Sequence, residues 1–257
     1  MSRNVAPREL LRTVLPALLL AGVLTVVAYA GTGPTAGFFF AGVVVVTLLT
    51  PPLVLAEDRR LGQLLCAQSV VGGVAVVWLL ALGEPSITAS HWLRADAVLA
   101  GYGFALWGVA ALFRRLISMT RAGVMFSATI AQAVTIAVAL AWLAWPVWMS
   151  PWLAGHERLV GLLAAPHPLL ALDAVLRASG PPWSERYFMY NFLTVLNQDV
   201  AYELSRSIVP AVLLHAVIGT VALLLGRGRN VARLGVDVPD RRRSDARERQ
   251  VSEDLLP

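Results

Sequence analysis

Histidine is the first place to look for chemistry in this chain, and there are four: His91, His156, His167 and His215. Zinc-dependent proteolysis inside a membrane needs two histidines four residues apart on one helix face, with a glutamate between them as base. The nearest string, His156-Glu157-Arg158, has no second histidine at that spacing. A Gly-x-Ser-x-Gly nucleophile turn is absent, so serine hydrolysis has no attacking group in that setting. Lipid-headgroup chemistry would want clustered aspartates on a metal, or basic residues with paired histidines, and the acids here are scattered. ATP hydrolysis needs Gly-x-x-x-x-Gly-Lys-Ser/Thr, and the chain contains no lysine at all. Cys66 is the single cysteine, which excludes an internal disulfide framework and a multi-cysteine zinc site. No catalytic or metal-ligating set emerges, and an enzyme is not expected.

His91, His156 and His167 fall outside the apolar stretches and read as ordinary loop residues, whereas three polar residues fall inside them. His215 stands out because an ionisable side chain inside a span is a functional candidate by default. Its plainer reading is a neutral imidazole hydrogen-bonded to a neighbouring helix. Gln68 and Gln132 read as interhelical hydrogen bonds.

The elements that hold these residues follow from composition. The 257 residues are 57% hydrophobic and 14% charged, against roughly a quarter charged for a soluble domain. Hydrocarbon about 30 Å thick needs roughly 20 apolar residues at 1.5 Å each. Six runs are close to that length: Thr13–Ala30, Thr35–Ala56, Gln63–Leu82, Ala97–Phe113, Ala122–Trp148 and Ser207–Leu225, none with an acid or an arginine. The expected fold is an all-α integral membrane protein with six transmembrane helices. Arg3, Arg8, Arg12 and Ala28-Tyr29-Ala30 also describe a cleavable signal peptide; the length of the apolar run favours an uncleaved first span.

All 21 basic residues are arginine, and 16 fall on one side of an even-span topology. They are Arg3, Arg8 and Arg12, then Arg59 and Arg60, then Arg114, Arg115 and Arg121, and eight after span six. The positive-inside rule puts both termini in the cytoplasm. The net charge of +5 then reads as orientation and contact with anionic lipid, not as a nucleic-acid partner.

Between the spans, Gly31–Pro34 predicts a tight hairpin, and Pro51-Pro52 predicts a break or kink late in span two. Trp142, Trp145, Trp148 and Trp152 read as an interfacial aromatic belt. The outer segment 149–206 carries apolar residues at helical spacing on both sides of Pro166 and Pro168, and Ser184 can cap a third helix. These pieces are too short to span, so re-entrant or interfacial helices are expected between spans five and six. The tail, 226–257, alternates arginine with acids and is expected to be disordered.

The layout resembles the permease subunit of an ABC exporter of the type-2 class. Arg8-Glu9-Leu10-Leu11-Arg12 runs straight into span one and is similar to that family's amphipathic elbow, here residues 1–12. Glu57-Asp58-Arg59-Arg60-Leu61-Gly62-Gln63-Leu64-Leu65 resembles the acidic-basic-Gly-Thr-Leu-Glu-Leu-Leu stretch after the family's second span, which leads into the helix that docks on the ATPase. Gln63 and Leu65 replace the family's threonine and second glutamate, and the usual Ser-Pro does not follow. The long connection before span six, and the close of span six in Arg227 and Arg229, complete the likeness.

The resemblance implies a permease whose energy comes from a separate ATP-binding subunit. ATP and magnesium belong to that partner, this chain has no cofactor, and a second permease subunit completes a dimer. It implies an ATPase contact of Glu57, Asp58, Arg59, Arg60, Gly62 and Leu64, with the charges setting orientation and Leu64 as apolar anchor. An uncharged interior suits an amphipathic cargo. The alternative is a membrane-embedded scaffold or assembly factor that uses the outer helices 159–204 as its partner surface.

Overall fold

The computed structural model describes residues 7–33, 36–82, 87–119, 126–146, 152, 156–180 and 207–226. Among these, every regular element is a helix: α1 Pro7–Thr32, α2 Ala36–Ala56, α3 Arg60–Leu82, α4 Ala89–Ser118, α5 Ser127–Leu143, α6 Glu157–Ala164, α7 Pro168–Arg177 and α8 Val209–Leu225. Four of them, α1 to α4, are long and apolar enough to cross a membrane. Helices α5 and α8 are apolar but span 17 residues each, or about 25 Å.

Helix α1 shows what surrounds the bundle. Only 17% of its apolar window is buried against the rest of the chain, yet Leu11, Leu15, Leu19, Val23, Val26 and Val27 all face outward. Water would penalise that surface, whereas lipid tails are as apolar as leucine. The chain is a membrane-embedded helical protein.

Within the bundle, α1 lies along α3 and α2, α2 touches α3, α4 and α5, and α4 carries both α5 and α8. Small residues set the closest crossings. A Cβ on Gly73 of α3 would stand 2.5 Å from the Leu18 carbonyl oxygen of α1. One on Gly108 of α4 would stand 2.5 Å from the Gly219 oxygen and 2.8 Å from its Cα on α8. Without a hydrophobic force between helices in lipid, such close backbone packing is what holds them together.

The hairpin between α1 and α2 turns at Gly33, whose φ of +61° suits glycine; its N–H donates to the Tyr29 carbonyl at 2.8 Å. Residues Pro7–Arg12 are the first turns of α1, and the rest of the expected elbow, 1–6, lies outside the described residues. The break expected at Pro51-Pro52 does not occur, because α2 runs on to Ala56. Neighbouring helices sustain it: 61% of its apolar window is buried, and a packed membrane helix tolerates proline.

Helix α4 begins at Ala89, well before the expected Ala97. Nδ1 of His91 accepts the Thr88 N–H at 3.3 Å, a cap that starts the helix early and brings Arg94 and Asp96 into its opening turns.

Past α5, residues 156–180 contain the two expected short helices, α6 and α7, meeting at 88°. Helix α7 packs on α4 and α2 and is buried from Pro168 to Leu176, apart from half-buried Ala174. The hinge residue His167 is no ordinary loop histidine, because it is 1% exposed. Its Nδ1 accepts the Leu170 N–H at 3.4 Å, which caps α7, and its Nε2 donates to the Leu143 carbonyl at 3.2 Å. Trp142 and Trp145 stack around it at 5.6 and 5.9 Å. Trp145 is therefore buried by α7 and is not part of an interfacial belt, whereas Trp152 is exposed. The expected third helix after Ser184, Trp148 and the tail 227–257 lie outside the described residues.

Candidate functional site

Three residues, Glu57, Asp58 and Arg59, separate the end of α2 from the start of α3. Such a short connection leaves little freedom, and its side chains show how it is held. The Glu57 carboxylate folds back so that Oε1 accepts the Arg59 N–H at 3.0 Å, an acidic cap at a helix start. That fold is possible because the residue beneath is Gly62: a Cβ there would stand 2.6 Å from Cγ of Glu57.

Gln63 ties the turn to the bundle. Its Nε2 donates to the Glu57 carbonyl at 2.7 Å, and its Oε1 accepts the Trp107 indole N–H at 3.0 Å. One amide therefore joins the turn to α4. One helical turn and more beyond Trp107, Arg114 donates to the Leu55 carbonyl at 3.2 Å. It reaches Asp58 only at 4.0 Å, where the Asp58 side chain is 93% exposed, so that pair adds little. The next residue, Arg115, donates to the Leu225 carbonyl. Adjacent arginines of α4 thus close the C-terminal ends of α2 and α8, where exposed carbonyls favour a cation.

Between this turn and the start of α1 lies a cleft of about 380 Å³, with Arg12, Thr13, Glu57 and Arg59 on its polar side and Leu61 and Leu65 among its apolar walls. Of the residues assigned to the ATPase contact, Asp58, Arg59 and Arg60 are exposed, and Glu57 and Gly62 are half-buried. Leu64 is half-buried as well, packed on Val54, Cys66, Ala67 and Trp107. The outward apolar side chain is Leu61, at 55% exposed. No separate helix stands between α2 and α3, and Arg60 to Leu65 are the opening turns of α3.

The intramembrane polar residues do not come together at this turn. Nε2 of Gln68 reaches the Ala100 carbonyl of α4 at 3.4 Å, a long contact between helices. Gln132 is half-buried on α5. Among the described residues His215 bonds no neighbouring helix: its Nδ1 is 2.6 Å from the Ala211 carbonyl of its own helix. Its contact with α4 is the Tyr102 ring, edge to face, with centroids 5.3 Å apart. A histidine in a helix can satisfy one nitrogen on the carbonyl four residues back, which leaves only Nε2 to find a partner elsewhere. Together with Thr135 and Trp142 of α5, these residues border a second, smaller groove of about 160 Å³.

Sequence reasoning missed the parts played by Gln63, Trp107 and Leu61, and it read Arg114 and Arg115 only as orientation signals. Gln63 carried one usable sign, a polar residue opening an apolar helix where the resembled family has threonine. No group of three histidine, cysteine or acidic side chains that could hold a metal forms among the described residues. No protein-family model matches the chain, and neither the curated proteins nor the solved structures contain a match to it.

Proposed function

We propose that the chain is the permease subunit of an ABC transporter of the type-2 exporter class, moving an amphipathic substrate with ATP hydrolysed by a separate subunit. In this reading α5 and α8 join α1 to α4 as six spans, with both termini on the cytoplasmic side of the cell membrane. Helices α6 and α7 form the re-entrant pair on the outer side. A second permease subunit completes the pathway.

The observation that carries the reading is the turn Glu57–Arg60. It presents exposed charges at one end of the bundle, and Gln63 and Arg114 tie it to α4. A docking surface on a loose loop would absorb the motion of a partner. One tied to α4, which in turn closes α8 through Arg115, passes that motion into the bundle. The residues of the contact are Glu57, Asp58, Arg59, Arg60 and Gly62, with Leu61 taking the anchoring part first given to Leu64.

Reversing Arg59→Glu and Arg60→Glu together tests this. Insertion into the membrane should be normal, and transport-coupled ATPase activity should fall at least tenfold. Unchanged coupled activity would refute the docking surface.

A further inference from the structure

The groove between α5 and α8 has a short polar inventory, in which one ring nitrogen has no partner among the described residues. It is floored by Tyr102 and Leu106 of α4 and flanked by Thr135 and Trp142 of α5 and by His215 and Ile218 of α8. The Thr135 hydroxyl donates to the Ala131 carbonyl at 2.6 Å. Thr47 donates to the Val43 carbonyl at 2.8 Å, so the Tyr102 hydroxyl, 2.9 Å from Thr47, donates its proton there. In His215, Nδ1 faces a carbonyl at 2.6 Å and so carries the ring proton. Among the described residues no charged side chain lines the groove, and an imidazolium beside these residues would have no counter-charge in hydrocarbon. The ring is therefore the neutral Nδ1–H tautomer, and Nε2 is a lone-pair acceptor.

That acceptor is unused. His215 is 3% exposed, and no described residue bonds its Nε2. The side-chain polar atoms both sealed and unpartnered among the described residues are Thr50 Oγ1, Trp78 Nε1 and Trp145 Nε1. Nε2 is not among them, and His215 lines the groove. An unmet acceptor in an apolar setting costs about 1–3 kcal/mol, and at this depth only membrane components can reach it.

We infer that this groove binds an aliphatic lipid chain bearing a hydroxyl within its hydrocarbon portion, with the hydroxyl donating to Nε2 of His215. A plain chain would fill the groove and leave the nitrogen unpaired. A phosphate or carboxylate would find no cation among the described lining residues. A hydroxyl on an alkyl chain meets both the walls and the unpartnered ring nitrogen. His215 lies near the middle of α8, so the hydroxyl sits well down the chain and not at its headgroup. This site depends on the membrane setting of the helices and not on the ATPase partnership.

The test uses the full chain in phosphatidylcholine nanodiscs, with no ATPase, and two photoreactive alkyl-diazirine fatty acids that differ only in a mid-chain hydroxyl. The hydroxylated probe should label peptides containing 135–142 and 214–218 about three- to tenfold more efficiently than the plain one, the range of one net hydrogen bond. His215→Phe should erase that preference while plain-chain labelling persists, and His215→Gln, which restores an acceptor, should recover part of it. Ala139→Phe, filling the groove, should abolish labelling by both probes at these peptides. Equal labelling by the two probes in the unmodified protein would overturn the inference without any variant. A preference that survives His215→Phe, or labelling spread evenly along the outer face of α1, would overturn it too.

Discussion

Glu57 lies folded against Gly62, so closely that a Cβ on the glycine would stand 2.6 Å from Cγ and 2.7 Å from Cδ of the glutamate. The contact explains why a glycine opens α3 two residues into the helix, where it costs helix stability. It lets a carboxylate cap the backbone that follows it.

Gly62→Val should therefore displace Glu57 and forfeit the cap. A lost cap costs about 0.5–2 kcal/mol, read as a lower thermal midpoint in detergent and faster hydrogen exchange at the Arg59 amide. Faster exchange there, with protection unchanged along α8, would localise the effect to the turn.

Gln63 and Trp107 form a pair suited to a double-mutant cycle. Gln63→Leu and Trp107→Phe should each destabilise the protein, and the double variant by less than the sum, with a coupling of about 0.5–1.5 kcal/mol. Strict additivity would show that the indole and amide are not joined.

Next to Trp107 on α4, Gly108→Leu should be harsher. The new side chain meets the Gly219 backbone at a crossing with no flexible atoms to yield, and overpacking costs about 1–3 kcal/mol. A cysteine pair across the crossing, cross-linked before and after the change, would report the separation of α4 and α8.

Arg114 and Asp58 should behave unequally although they face each other. Arg114→Met removes the donor to the Leu55 carbonyl and should lower the thermal midpoint. Asp58→Asn should leave it unchanged, since the carboxylate is exposed and the guanidinium 4.0 Å away. Comparing the two melting curves separates the carbonyl bond from the ion pair.

The long helices were legible because hydrophobicity in a membrane chain is nearly sufficient: α1, α2 and α3 start and stop close to the apolar runs. Helix α4 was not, because its start depends on a cap between Thr88 and His91 and so carries Arg94 and Asp96 into the helix. His167 was misread for a different reason. Nothing local marks it as buried, and only the packing of α7 under Trp145 makes it so. The candidate turn was found through its charges, which stay visible in a sequence. Its supports, Trp107 and Arg114, come from a helix 44 or more residues away, and a pairing at that range leaves no periodicity to detect. His215 was singled out correctly as a polar residue in an apolar helix, but its bond to its own helix leaves the second nitrogen without a partner among the described residues.

The most direct test is affinity purification of the whole chain, in mild detergent, from the membrane in which it is made. A phosphate-loop ATPase should co-elute with the unmodified protein and be lost from the Arg59→Glu, Arg60→Glu variant, while a second permease chain remains in both. Absence of any such ATPase, or its equal retention by the variant, would contradict the proposed role of the chain as a conduit driven through the Glu57–Arg60 turn.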